Sequence, residues 1–371
     1  ERRRPLKKNG PSGEGLRSPP RIAVVGAGAR GLYYGARLAK HLRESCGPNR
    51  SVAFLARRDA RHLRTRGLHV RSIEGDFTLT PDDYTVFEDA QTFARESEAH
   101  EERIDLLLIG LKTTANEPAY RESVLPLWTP GRTSVLCLQN GLGNEALLAQ
   151  IGGPERAKPL FGGTAFLCSN RTGPGEIDHT EHGLIHLAPY LEPPSAGDRA
   201  GGLREAENIA ALIRAAGVEC SARPGYVAMR WRKQIWNVPF SALCTIHDRP
   251  TAALLAMPGM PERVAAIMRE VITLGCGVHA SLHAAAKSVR EAGVYVGEYT
   301  LTAEGDAIIA EQLAKTATMG AYHPSMLLDA RGGRPIASAA IVDACVVERN
   351  THAPDLAIPE IARIAEELRA V

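Results

Sequence analysis

Arg21 to Gly31 read RIAVVGAGARG, a short apolar strand that runs straight into Gly26, Gly28 and Gly31 and then into the helix-forming stretch LYYGARLAKHL. Each glycine has its own task in such a turn. Gly26 permits the tight reversal, Gly28 lets the backbone approach a pyrophosphate, and Gly31 lets the helix lie close on the strand. The free amides at the helix start then hold the phosphates. Gly26, Ala27, Gly28, Ala29, Arg30 and Gly31 are therefore assigned to a dinucleotide cofactor. A glycine pattern alone is weak, but the Val-rich strand before it and the periodic helix after it supply the setting the chemistry requires.

The end of the second strand decides which dinucleotide, because an NAD site usually carries Asp or Glu there for the ribose 2′-hydroxyl. The candidate strand is Ser51 to Leu55, followed by Ala56, Arg57 and Arg58, and no acid comes before Asp59. Two forked guanidiniums suit a 2′-phosphate. The reading is NADP(H), with Arg57 and Arg58 on the phosphate; the bland alternative is a solvated pair of loop charges.

A second row with chemical spacing is Trp231 to Ser241, WRKQIWNVPFS. Lys233, Asn237 and Ser241 recur every fourth residue, so on a helix all three project from one face. Pro239 cannot donate, and its ring opposes the carbonyl of Ile235, which predicts a kink or break beside the polar row. Lys112 and Asn140 close two apolar runs, Leu106 to Leu111 and Ser134 to Leu138. Strand ends are where an open parallel sheet places its ligand crevice. Gly141 and Gly143 permit close backbone approach beside Asn140.

These groups need a sheet to hold them, and the chain alternates strands with helical stretches as a parallel sheet demands. Further strands are predicted over Leu160 to Leu167 and Leu184 to Pro189. A polar loop, EPPSAGDRAGG, follows, and helix returns from Leu203 to Ala216. From about Gly225 the strand signals fade into a long pattern rich in Ala, Leu, Met and Glu. The expected fold is thus α/β: a Rossmann-like parallel-sheet nucleotide domain over residues 21–224, then an all-α helical domain over 225–371.

At 371 residues with 44% hydrophobic and 23% charged residues, the composition is that of an ordinary globular enzyme of about two domains. Residues 1–20 hold six basic groups against Glu1 and Glu14, leaving 38 Lys and Arg against 40 Asp and Glu in a nearly neutral body. No basic stripe with interleaved aromatics suggests nucleic acid. No apolar run is long enough to suggest a membrane span. Seven cysteines without CxxC pairs argue against a disulfide framework and for a reducing compartment, and no metal-ligand spacing is seen. The expected location is cytoplasmic. The basic head, read as a disordered tail, leaves a mitochondrial targeting remnant as the alternative.

Leu111-Lys112-Thr113, LQNGLGNE at Leu138 to Glu145, WRKQIWNVPFS, and YHPSMLLD at Tyr322 to Asp329 follow the glycine turn in this order. Together the five segments resemble the ketopantoate reductase (2-dehydropantoate 2-reductase) family from about Arg21 to the end of the chain. The resemblance implies NADPH-dependent reduction of a small 2-oxo acid and a helical domain of the 6-phosphogluconate dehydrogenase C-terminal type. It also implies residue roles. Lys233 would protonate the alkoxide formed when hydride reaches the keto carbon, which suits a lysine whose pKa is lowered toward neutrality. Asn237 would bind substrate, as would Ser241, and Ser325 would bond the substrate carboxylate. Lys112 and Asn140 would stand at the nicotinamide end of the cofactor, and Cys168 would touch it through its backbone, with packing and no thiol chemistry.

Two positions depart from the family pattern. Ser241 stands where a second asparagine is common, and Ala337 where a glutamate follows the serine by twelve residues. The alternatives left open are a reductase of another 2-oxo acid and a non-catalytic NADP(H)-binding sensor. A homodimer remains an open oligomeric alternative.

Overall fold

A computed structural model describes residues 19–371 except 48–49, 101–102, 113, 115–116, 158–159, 193–195, 289–292, 295–300 and 302. The expected tail over residues 1–20 lies outside the described residues apart from Pro19 and Pro20. In chain order the strands are β1 (Ile22–Val25), β2 (Val52–Leu55), β3 (Leu68–Ser72), β4 (Phe77–Leu79), β5 (Thr85–Phe87), β6 (Leu106–Ile109), β7 (Ser134–Cys137), β8 (Leu160–Gly173), β9 (Glu176–Pro189), β10 (Leu191–Glu192), β11 (Cys220–Ala222) and β12 (Gly293–Val294). Ten of them form one sheet in the order β4-β3-β9-β8-β7-β6-β1-β2-β5, with β11 beside β9.

The central strands IAVV, VAFL, LLLI and SVLC are buried along their whole length, as continuous apolar runs should be in a parallel sheet covered on both faces. β1 lies between β2 and β6, with Val24 paired to Phe54 on one side and Leu108 on the other. From β5 across to β8 every pairing is parallel. The glycine turn, Arg57, Lys112 and Asn140 therefore leave the same edge of the sheet.

Side chains of β1 alternate between two cores. Ile22 and Val24 face a cluster completed by Tyr34, Leu38, Ile209 and Ile213, from the helices Ala29–Cys46 and Ala196–Ala215. Ala23 and Val25 face a second cluster that runs without interruption into the helical part, through Trp231, Ile235, Met268, Val271 and Ile361. Beyond Ala222 the described chain is helical apart from β12, which pairs with β10. The helical domain thus packs directly on the Rossmann-like sheet.

The sequence reading misses β3, β4, β5, β11 and the two-residue strands β10 and β12; β3, β5 and β11 join the sheet by parallel pairing, and β4 pairs antiparallel with β3. It also stops β8 short, because the strand continues into a long antiparallel hairpin with β9. Helix begins at Ala196, inside the stretch expected to be loop. Pro239 neither breaks nor ends its helix, which is continuous over Tyr226–Ile246. Pro239 is buried there among packed neighbours, and tertiary packing on both sides outweighs the one lost backbone bond. Among the described residues one helix, Met260–Ala285, is long and apolar enough to cross a membrane by length and composition, with mean hydropathy 1.2. Its Val264, Ile267, Met268, Val271 and Leu274 are fully buried in the second core, which accounts for the apolar pattern.

Candidate active site

The glycine turn is built as the sequence requires. Gly26 has φ +106°, and a Cβ there would lie 2.6 Å from the carbonyl carbon of Gly110. A Cβ on Gly31 would lie 2.1 Å from the Gly26 oxygen. Gly28 is different: it is exposed, and a Cβ there would meet nothing within 4 Å. Gly28 also caps the helix Ala29–Cys46 without any side-chain bond to the first-turn amides. Open space at Gly28 and uncapped amides behind it fit a pyrophosphate. Ala27 and Ala29, small and partly buried, pack against the first core and keep the approach clear.

At the end of β2, Arg57 and Arg58 are both exposed. Arg57 donates to Glu122 at 2.6 Å and to the Ser123 hydroxyl at 3.3 Å. Asp59, the first acid after the strand, is buried and held by Arg171 at 2.6 Å. It is turned inward and is not offered to a ribose. An exposed pair such as Arg57–Glu122 is worth at most about 1 kcal/mol, so a phosphate can displace the glutamate.

At the ends of β6 and β7 the sheet meets the helical domain. Lys112 forms an ion pair with Asp329 of the helix Ser325–Arg331, and Arg334 holds the same carboxylate at 2.8 Å. Asn140 is partly exposed, and its carbonyl accepts from the Asn144 side chain at 2.9 Å. Gly141 has φ +86°, and a Cβ there would lie 2.4 Å from the Ala340 oxygen. The next amide, Leu142, donates to that oxygen at 2.9 Å. The glycine is required by this contact with a π-helical turn, Ala339–Asp343, and Ala337 lies just before that turn, partly buried against the core.

The helix Tyr226–Ile246 crosses the end of the sheet. Its anchor is a buried ion pair between Arg230 and Glu145. Arg230 also donates to the Gln139 and Cys137 carbonyls at 2.8 and 3.1 Å, and Tyr226 donates to Glu145 at 2.7 Å. One turn on, the Lys233 ammonium lies 4.0 Å from the centre of the Phe166 ring on β8. Burial, and secondarily the nearby Arg30 guanidinium, bring Lys233 down to about 7. Asn237 and Ser241 follow on the same helix, 4% and 5% exposed, so the row runs inward from a half-buried Lys233 to two buried polar side chains. Asn237 donates to Gln234 at 3.4 Å, a weak contact that a ligand can replace.

Cys168 is buried on β8 near the Tyr322 hydroxyl and is raised by burial, so it stays a thiol. The structure thus gathers Arg30, Lys233, Phe166, Cys168 and Tyr322 at one end of the sheet. Ser325 is exposed at the first position of its helix, where Pro324 takes the capping place, so the hydroxyl is not used as a cap. Sequence reasoning passed over Glu145 and Arg230, although Glu145 lies in LQNGLGNE and Arg230 sits one turn before Lys233. It also missed Asp329 as the partner of Lys112, Phe166 as the surface under Lys233, and Tyr322 beside Cys168.

The model of the ketopantoate reductase PanE/ApbA family matches residues 22–192, and that of the PanE/ApbA C-terminal part matches residues 226–370. The 2-dehydropantoate 2-reductase of Nostoc sp. is 31% identical over 322 residues, covering 87% of this chain and 86% of that protein. The crystal structure of 2-dehydropantoate 2-reductase from Geobacter metallireducens superposes with a TM-score of 0.76 at 35% identity, covering 94% of this chain and 99% of that one. The corresponding structure from Methylococcus capsulatus gives 0.69 at 25% identity, covering 94% and 96%. An open glycine turn with uncapped helix amides, a lysine lowered toward neutrality at the same end of the sheet, and matches over both halves lead to one assignment: the chain belongs to the ketopantoate reductase family.

Proposed function

We propose that this chain reduces 2-dehydropantoate to pantoate with NADPH. The observation that carries the reading is Lys233, half-buried against Phe166 and lowered to about 7 beside the sheet end where the cofactor turn opens. A general acid works best when its pKa lies near the operating pH. NADPH, when bound, supplies the hydride to the keto carbon. Lys233 Nζ holds a proton at the keto oxygen and releases it as that oxygen gains charge, leaving a hydroxyl and a neutral amine that water reprotonates. Asn237, Ser241 and Asn140 orient the substrate, and Ser325 bonds its carboxylate. The backbone of Gly26 to Gly31 holds the pyrophosphate, Arg57 and Arg58 the 2′-phosphate, and Lys112 and Cys168 flank the nicotinamide end. Residues 21–224 and 225–371 are the nucleotide and substrate domains.

Ser241 and Ala337 favour one second reading, a different 2-oxo acid, because a missing polar partner relaxes discrimination. NADPH consumption, followed by absorbance with ketopantoate and a panel of branched, aromatic and dicarboxylic 2-oxo acids, tests both. Ketopantoate should give the highest kcat/KM. A higher value for another acid replaces the substrate, and no turnover of any acid with NADPH still bound contradicts the enzyme reading.

A further inference from the structure

Arg30 stands in the first turn of the helix Ala29–Cys46, where the unpaired amides already present positive charge and a cation is disfavoured. Burial pulls its guanidinium below the usual arginine range. Among the described residues it has no carboxylate partner; its bond is from Nη1 to the Leu138 carbonyl at 3.0 Å. A second cation, Lys233, faces the same space. Three unfavourable terms meet at one charge without a counterion, a local conflict of the kind that occurs at functional sites.

The direction of the side chain says which anion is missing. Leu138 follows β7, and in the sheet β7 is separated from β1 by β6. Two strand spacings are about 10 Å, so Arg30 reaches away from the phosphate turn that carries it. It ends among Leu138, Lys233 and Tyr322, on the substrate side. Four further donor hydrogens on the guanidinium are available to a planar acceptor.

We propose that Arg30 is a substrate-binding residue that receives the carboxylate of the 2-oxo acid while Lys233 faces the keto oxygen. This rests on the reductase reading and deepens it, because it makes the free carboxylate, and not the cofactor phosphate, the partner of the arginine in the glycine turn. Arg30 then supplies the charge and Ser325 a hydroxyl to the same group. Bound carboxylate offsets Arg30 and so keeps Lys233 protonated until hydride transfer. The groups facing Lys233 are Arg30 from the turn helix, Cys168 from β8 and His186 from β9, with Tyr322 and Glu181 facing Cys168.

The test compares wild type, Arg30→Ala and Arg30→Lys in three measurements: NADPH affinity, binding of pantoate in the presence of NADP by calorimetry, and turnover of ketopantoate against its neutral lactone. Arg30→Ala should weaken pantoate binding and raise the ketopantoate KM by about 10- to 100-fold. It should leave NADPH affinity within about threefold, change the lactone little, and move the alkaline limb of kcat/KM upward. Arg30→Lys should recover part of the binding. Weakened NADPH affinity with an unchanged ketopantoate KM would overturn the proposal in favour of a phosphate ligand, and equal losses on acid and lactone would assign Arg30 a structural role. Pantoate binding that depends on Arg30 in a wild type without turnover would uphold the carboxylate site and contradict the reductase reading alone.

Discussion

Arg230 and Glu145 form a buried ion pair that fastens the helix bearing Lys233 to the end of the nucleotide-domain sheet. Arg230 is 3% exposed and Glu145 is fully buried, so neither charge has water to fall back on if the other is removed. The pair fixes where Lys233 stands relative to the cofactor turn.

Removing one member leaves an uncompensated buried charge, which costs about 3 to 5 kcal/mol. Glu145→Ala should lower the denaturant midpoint markedly and reduce turnover in the fraction that remains folded. The double variant Glu145→Leu, Arg230→Met should recover part of that stability. Urea unfolding followed by tryptophan fluorescence measures both. A single variant as stable as wild type would show that the pair does not anchor the helix.

The glycine turn gives a paired test, because two of its glycines are required for different reasons. Gly31→Ala places a methyl group 2.1 Å from a backbone oxygen and should destabilise the fold by about 1 to 3 kcal/mol or more. Gly28→Ala meets nothing within 4 Å, so it should leave stability within about 0.5 kcal/mol and weaken NADPH binding about tenfold or more. Thermal unfolding and a fluorescence titration of NADPH separate the two. Unchanged NADPH affinity in Gly28→Ala would remove the pyrophosphate from this position.

Arg57 and Arg58 should set the preference for NADPH over NADH. Charge-assisted bonds to a phosphate are worth about 1.5 to 3 kcal/mol each, more than the exposed Glu122 contact gives up. Arg57→Ala with Arg58→Ala should therefore erase most of the preference, whereas Glu122→Gln should strengthen NADPH binding slightly. Dissociation constants for both nucleotides decide it, and equal affinities in the wild type would contradict the assignment.

Much of the nucleotide-binding turn was legible because its constraints are local. The positive φ at Gly26 and the close approach at Gly31 are properties of eleven consecutive residues. The row Lys233, Asn237, Ser241 was legible for the same reason, being set by helical period. The partners that make it a site were not. Arg230 and Glu145 are 85 residues apart, and Lys112 and Asp329 are 217 apart, so only the packing of helix on sheet brings them together. β3 reads LHVRS, with a half-exposed histidine between its two buried positions and an exposed arginine after them, and it is a strand because β9 and β4 flank it. The helix through Gly201 and Gly202 likewise contradicts local propensity.

Lys233 should also cost stability. Its native pKa of about 7 lies below the ordinary 10.5, so between these values the unfolded chain binds more protons and the contribution of this group to stability rises with pH. Below about 7 the full penalty applies. Lys233→Met should therefore raise the unfolding midpoint at mildly acidic pH and gain little at alkaline pH. A lowered midpoint at acidic pH would contradict a disfavoured ammonium at this position.

The pH dependence of kcat for ketopantoate reduction, at saturating NADPH and in wild type beside Lys233→Ala, tests the proton-donor assignment most directly. The acid form of Lys233 is the working form, so kcat should be flat on the acid side and fall about tenfold per pH unit above a pKa at or somewhat above about 7. Lys233→Ala should lower kcat by about 10² to 10⁴, lose that limb, and bind NADPH as wild type does. A Lys233→Ala variant with near-normal kcat and the same alkaline limb would contradict the account.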